Sequence, residues 1–187
     1  MRKKLVFIPV LMCGLLITSC GGSKLSKFNK KINSSIKEVT KVVIETKVTD
    51  NDVLVYSSIN NISITHENKM ISGTSEKTTS TLNSNFEFKT DKTTSNFSDI
   101  DEKSLHGFDL NGKNLKEYQI KNESNSSILT GKIDREKVNK YFKVENFVSS
   151  SDCDIKYQLT DSKLTMYTCS YEADSQFLVT ITSTYTY

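Results

Sequence analysis

The stretch FLVTITSTYTY, residues 177–187, decides the fold class. Apart from Ser183, every second residue is apolar or aromatic: Phe177, Val179, Ile181, Tyr185 and Tyr187. The side chains between them are mainly threonine. Because successive side chains of a strand point to opposite faces, this alternation predicts a β-strand in a sheet with one buried and one wet face.

The same period of two recurs along the chain and predicts a run of antiparallel strands. Residues 153–160 alternate in this way, and a turn at Asp161-Ser162 leads into the next strand. Asp50-Asn51-Asp52 and Asn111-Gly112 are turn sequences, and each predicts a hairpin. The other predicted strands cover residues 42–48, 53–59, 62–66, 69–79, 84–90, 93–98, 105–110 and 114–121, with turns at Glu67-Asn68 and Asp91-Lys92.

Two helices complete the predicted fold. Apolar residues spaced by three and four predict an amphipathic helix over residues 24–38: Leu25, Phe28, Ile32, Ile36, Val39 and Val43. A second helix is predicted over residues 135–142, with Asp134 as its N-cap and Ile133 packed on Val138. The predicted class is α+β: a mostly antiparallel, curved sheet with one face covered by an N-terminal helix and a short second helix.

The first twenty residues carry an export signal. Arg2, Lys3 and Lys4 precede an apolar run over residues 5–17, which is too short to span a bilayer and is typical of a signal peptide. Ile17-Thr18-Ser19-Cys20 then resembles the lipobox of bacterial lipoproteins. The resemblance implies that signal peptidase recognises Ile17, Thr18 and Ser19, that Cys20 receives a diacylglycerol, and that the protein is exported and held on the cell membrane.

The expected organisation follows from that signal. Residues 1–19 are a signal peptide, residues 20–23 a lipidated flexible tether, and residues 24–187 a single domain. The predicted helix has two alternatives: its apolar stripe packs on the sheet, which we expect, or it lies in the membrane interface.

Charge argues against a nucleic-acid partner. The chain has 25 Lys and Arg residues, of which Arg2, Lys3 and Lys4 belong to the signal peptide, and that leaves 22 basic against 22 acidic residues in the mature part. Nucleic-acid binding proteins usually keep a basic excess to neutralise phosphates. The expected partners are therefore the membrane, through acyl chains on Cys20, and a hydrophobic ligand or a protein.

Cys153 and Cys169 lie on strands joined by the predicted turn, and an exported protein favours a disulfide. A two-residue turn at Asp161-Ser162 pairs Leu159 with Leu164 and Tyr157 with Met166, but sends Cys169 to the wrong face. A three-residue loop over residues 160–162 sets Cys153 opposite Cys169. We expect the disulfide, and the alternative is two separately packed thiols.

Catalytic and metal-binding motifs do not emerge from the sequence. His66 and His106 fit no metal or nucleophile pattern and are interpreted as ordinary strand or loop residues. The run of residues 99–102 resembles the start of a calcium loop but has Ser104 where the loop requires glycine. We therefore expect no enzymatic activity, no metal and no cofactor.

The order of elements is similar to that of lipid-handling domains of the LolA and LppX kind, over residues 24–187. That architectural resemblance implies a strongly curved sheet that wraps helices around an apolar cavity, and it transfers no ligand residue. Two functions stay open: carriage of a hydrophobic ligand in such a cavity, or a surface interaction lipoprotein with a solid core. An apolar cavity of several hundred Å³ would favour the first.

Overall fold

The computed structural model describes residues 21–106, 108, 110, 112–141, 144 and 147–187. Its main element is one antiparallel sheet of nine strands that does not close on itself. The strands are β1 Lys41–Asp50, β2 Val53–Glu67, β3 Met70–Leu82, β4 Phe88–Asp101, β5 Leu115–Asn122, β6 Ser126–Ile133, β7 Cys153–Thr160, β8 Lys163–Ala173 and β9 Phe177–Thr186. Strands make up 64% of the described part of the chain, so the class is mostly β, and the predicted α+β class is corrected.

The strand order is β4-β3-β2-β1-β9-β8-β7-β6-β5, which places the first and last strands side by side at the centre. In this central pair Val42 lies opposite Tyr185 and Val48 lies opposite Val179. These residues are buried, and so are the other members of the same face on β7, β8 and β9. We call this buried side the inner face and the opposite side the outer face.

Two-residue turns join several neighbouring strands. Both turn residues have positive φ in each case, as a type I′ turn requires: Asn51 and Asp52, Asn68 and Lys69, and Asp161 and Ser162. Asp174 and Ser175 also have positive φ, but they belong to a three-residue loop, since Ala173 pairs with Phe177. Asn and Asp tolerate this left-handed conformation better than most residues. The turns predicted at Asp50–Asp52 and Asp161-Ser162 are thereby confirmed, whereas the turn predicted at Glu67-Asn68 lies one residue later.

The N-terminal helix α1 covers Gly21–Ser35, and a 3₁₀ turn continues it over Ile36–Glu38. The predicted stripe is buried from Leu25 to Val39, and α1 contacts β8. Val43, which we predicted to continue it, lies on β1 and is only half-buried. The Ser35 hydroxyl donates to the Ile32 carbonyl and accepts from the Leu164 amide, which ties the helix end to β8. The helix begins three residues earlier than predicted and takes in residues 21–23, which we expected to form a flexible tether.

The second helix, α2, covers Arg135–Tyr141 and is capped as predicted. The Asp134 carboxylate accepts from the Glu136 amide at 3.0 Å, and this bond, followed by the one from Lys116, lowers the pKa of Asp134. The Lys116 ammonium also donates to Asp152, which raises the pKa of Lys116 and lowers that of Asp152. Ile133 and Val138 are both fully buried, and the predicted Phe142 lies outside the described residues.

Several predicted strand boundaries were wrong. The separate strands at 53–59 and 62–66 are one strand, β2, because Asn60 and Asn61 stay paired with both β1 and β3. The Asn60 side chain also accepts a hydrogen bond from Ser75. Residues 88–90 and 93–98 belong to one strand, β4, with no turn at Asp91-Lys92. Residues 84–87, which we predicted as strand, lie in the turn before Phe88. The burial pattern of β4 contains no alternation, since nearly every residue is exposed.

The predicted hairpin around Asn111-Gly112 was also wrong. Residues 102–106 form a 3₁₀ turn, Asn111 lies outside the described residues, and β5 pairs with β6, a strand that the sequence did not predict. Gly131 interrupts the apolar alternation of β6 because a Cβ there would lie 2.7 Å from the Glu117 carbonyl oxygen. The close approach of β5 therefore requires glycine at residue 131. Because glycine breaks the apolar alternation, the sequence pattern did not predict β6.

Within the described part of the chain, no helix is both long enough and apolar enough to cross a membrane.

Candidate functional site

The predicted lipidation site lies immediately before the described part of the chain. Cys20 and the recognition residues Ile17, Thr18 and Ser19 are outside the described residues, and Cys20 directly precedes Gly21, the first residue of α1. A single peptide link of about 3.8 Å between Cα atoms therefore separates Cys20 from a helix that is part of the folded core.

Cys153 and Cys169 are brought together on the inner face. Both are fully buried, their sulfur atoms lie 2.6 Å apart, and the structure holds them as free thiols. Mutual hydrogen bonding, followed by burial, raises the pKa of Cys153 far above its ordinary value. In the folded protein Cys153 is thus a neutral thiol, and burial shields both sulfur atoms from oxidants in solution.

Neither of the two registers considered from sequence is the observed one. The turn is the two-residue turn, and Leu159 lies opposite Leu164 as that turn predicts. A register shift at Gln158/Leu159 then leaves Thr165 without a partner, so that Tyr157 faces Tyr167 and Ile155 faces Cys169. This β-bulge returns Cys169 to the inner face. With a two-residue turn and no bulge, Cys169 would lie on the outer face.

The cysteine pair supports a first prediction. We expect the exported protein to carry a Cys153–Cys169 disulfide, formed before folding completes because both folded thiols are fully buried and out of reach of oxidants. Intact mass after alkylation of native protein under non-reducing conditions should show neither thiol labelled, while a reduced and denatured sample should label both. Two labelled thiols on freshly isolated, denatured but unreduced protein would contradict the bond.

Buried tyrosines tie the segment between β4 and β5 across the inner face. The Tyr157 hydroxyl donates to the carbonyls of His106 and Phe108, and the Tyr185 hydroxyl donates to the carbonyl of Leu105. Burial raises the pKa of Tyr157 and Tyr185, so both act as neutral donors. This segment therefore serves as a cover over the sheet.

The inner face is filled by the protein's own side chains. The largest fully buried ones belong to one apolar cluster and come from α1, the 3₁₀ turn after it, β6, β7, β8 and the segment before β5: Ile32, Ile36, Phe108, Leu129, Ile133, Tyr157, Leu159, Leu164 and Tyr167. The Tyr157 and Tyr167 rings pack with centroids 4.5 Å apart. Interdigitation of this kind is typical of a solid core.

An open cleft lies on the outer face across β5, β6, β7 and β8. Its volume is about 730 Å³, within the range of ligand and partner pockets. Its lining combines polar and charged side chains with apolar ones: Glu117, Tyr118, Gln119, Thr130, Gly131, Lys132, Asp154, Ile155, Lys156, Met166, Thr168 and Ser170. The Lys132 ammonium lies between Glu117 at 3.9 Å and Asp154 at 4.0 Å, so both signs of charge meet along the cleft.

Two register shifts flank this cleft. One lies in β5 between Leu115 and Glu117, and the other in the β7–β8 pair between Gln158 and Leu159. Since bulges bend a strand and increase its twist, two of them at opposite sides explain why a sheet face is concave here. The sequence did not predict the cleft because β6, its central strand, was not predicted.

The two histidines occupy structural positions, as interpreted from the sequence. His66 ends β2, where Nε2 donates to the Val39 carbonyl at 2.7 Å and Nδ1 lies 3.9 Å from the Glu102 carboxylate. His106 is buried in the 3₁₀ turn, and its Nδ1 donates to the Phe108 carbonyl. Among the described residues, no group of three or more His, Cys, Asp or Glu side chains is arranged to bind a metal ion.

Comparison with known proteins gives little guidance. No protein-family model matches the chain, and no curated protein matches it. Among solved structures it is similar to an N-terminal dehydratase from the difficidin assembly line, with 9% identity over 89% of this chain and 84% of that chain and a TM-score of 0.15. A likeness at this level carries no argument about fold or activity.

Proposed function

We propose that this protein is an exported bacterial lipoprotein, held on the extracytoplasmic side of the cell membrane by a diacylglycerol on Cys20. The lipobox residues Ile17-Thr18-Ser19-Cys20 support this anchor, and so does the short apolar run before them. The domain then lies against the headgroups, because α1 begins at the residue after Cys20.

We further propose that the domain is an interaction module for a protein partner, with neither catalytic nor carrier activity. The observation that supports this is the filled inner face, where Ile32, Leu129 and Leu164 are fully buried against the aromatic core. A lipid carrier needs that face to be hollow, whether or not the sheet is strongly curved. Binding is therefore assigned to the outer face, where the cleft across β5–β8 is open.

The composition of the cleft fits a protein partner better than a lipid. Its walls offer hydroxyl, amide and both charged groups beside an apolar surface to which Tyr118, Ile155 and Met166 contribute. Protein interfaces with a polar rim combine these elements, whereas an acyl chain would leave the charged groups of Lys132 and Asp154 without solvation.

A photo-crosslinking amino acid at Thr168 tests this proposal in cells that carry the lipidated protein. Thr94, an exposed threonine on the outer face of β4, is the matched control. We expect a discrete protein adduct from position 168 and not from position 94. The same adducts from both positions, or none from position 168, would contradict the assignment of the cleft. Stoichiometric lipid released by solvent extraction of the purified domain would favour a carrier instead.

A further inference from the structure

We infer that the exposed lysine face of α1 binds anionic phospholipid headgroups and so fixes the orientation of the anchored domain on the membrane. This inference rests on the proposed lipidation of Cys20. The lysine face consists of Lys24, Lys27 and Lys30, which are all exposed on the side of α1 opposite its buried stripe.

Positive charge is concentrated at the start of the mature chain, although the mature chain as a whole has equal numbers of basic and acidic residues. Residues 21–37 contain five lysines, including Lys31 and Lys37, and no acidic residue. The first acid, Glu38, is already paired with Lys163 at 2.8 Å, and that hydrogen bond lowers the pKa of Glu38. Among the described residues, no carboxylate forms an ion pair with Lys24, Lys27 or Lys30.

The anchor places this face next to the membrane. At a rise of about 1.5 Å per residue, Lys24 lies roughly 5 Å along the helix axis from Gly21, the residue after Cys20, and Lys30 lies roughly 14 Å from it. The electrostatic field of an anionic leaflet decays over a Debye length of about 8–10 Å, so a helix laid along the surface keeps all three ammonium groups within that field. Lys31 is not counted in the lysine face, because it lines a polar cleft that also contains the carboxylates of Glu123 and Asp161.

The buried stripe determines which face of α1 can contact the membrane. Leu25, Phe28 and Ile32 are committed to the core, so the helix cannot insert its apolar side into the bilayer without unfolding. The acyl chains on Cys20 supply the hydrophobic attachment, and the lysine face supplies the charge that completes a two-part membrane contact. Each lysine near an anionic surface favours contact by roughly fivefold, and three together by roughly a hundredfold.

Lysine acetylation of the lipidated full-length protein tests the orientation. The protein is reconstituted in vesicles of phosphatidylcholine alone or with added phosphatidylglycerol, then treated briefly with an amine-reactive ester and analysed by mass spectrometry. We expect labelling of Lys24, Lys27 and Lys30 to fall severalfold on the anionic vesicles and to recover at high salt. Labelling of Lys92, an exposed lysine on β4, should be unchanged.

Charge reversal supplies the matched variants. In the wild type Lys31 and Lys37 lie near the same headgroups, so we expect weaker protection of both on the anionic vesicles. With Lys24→Glu, Lys27→Glu and Lys30→Glu combined, that protection should vanish, so that Lys31 and Lys37 label equally on both kinds of vesicle. The control reverses the exposed residues Lys89, Lys92 and Lys121 with the same change in net charge, and it should keep the protection of α1. Equal labelling of wild-type α1 on both vesicles would overturn the inference.

The intact mass of the reconstituted protein separates this failure from that of the anchor. An unmodified Cys20 would overturn the proposed lipidation and the orientation with it. Equal labelling of protein that does carry the diacylglycerol would overturn the orientation alone.

Discussion

Replacing Ile32 and Ile36 together by Asp is expected to unfold the soluble, unlipidated domain or to lower its melting temperature by roughly 10–20 °C. Both side chains are almost completely buried, with exposed fractions of 0% and 1%. Burial of one such residue contributes about 1.5–3 kcal/mol, and a domain has only about 5–15 kcal/mol of net stability. Two buried carboxylates without partners add a further desolvation cost.

The matched control for this experiment is Lys27→Asp combined with Lys31→Asp. These residues have the same spacing on the same helix but are exposed, so their replacement changes helix propensity and charge without removing core contacts. A thermal melt followed by circular dichroism should show little change. If the Ile32 and Ile36 variant melted like the wild type and lost only vesicle binding, α1 would belong to the membrane and not to the core.

Replacing Cys20 by Ala is expected to abolish lipidation, so that the precursor stays uncleaved or the protein is released from membranes. The reason is chemical, since alanine has no thiol to accept the diacylglycerol that the lipobox resemblance implies. Cells labelled with a radioactive fatty acid should show label on the wild type and none on the variant. Cys13→Ala is the control, because Met12 before it does not fit the lipobox, and it should keep full label.

Fatty-acid label of equal strength on the wild type and on the Cys20→Ala variant would remove the anchor from the proposed function. The interaction cleft would be unaffected by that outcome, since it is argued from β5–β8 alone. The proposed orientation of α1 on the membrane would also be contradicted, because it depends on acyl chains attached to Cys20.

Elements that bury one face were predictable from the sequence. In β9 the residues Val179 and Ile181 alternate with exposed or half-buried threonines, and in α1 the stripe through Phe28 and Ile32 has helical spacing. The cap at Asp134 was equally visible, because the residue type and the hydrophobic pair around it coincide.

Elements held mainly by backbone hydrogen bonds were not predictable in the same way. Residues 88–101 form β4 through their register with β3, although their side chains are exposed and Ser/Thr-rich, so no hydrophobic period marks the strand. In β6 the alternation through Leu129 and Ile133 is interrupted by Gly131, whose lack of a side chain is required by the neighbouring strand.

The candidate site was also predictable only in part from the sequence. Proximity of Cys153 and Cys169 was anticipated from their positions on neighbouring strands, but the register that achieves it depends on a bulge at Thr165 that has no sequence signal. The outer cleft depends on β6 and on two register shifts, and none of these follows from a pattern of apolar residues.

The most direct test of the proposed lipoprotein is the intact mass of the mature protein extracted from membranes of the cells that produce it. We expect a chain that begins at Cys20, lacks residues 1–19, and carries the added mass of a diacylglycerol on the thiol. A chain that retains residues 1–19, or one that begins elsewhere with an unmodified Cys20, would contradict the proposal.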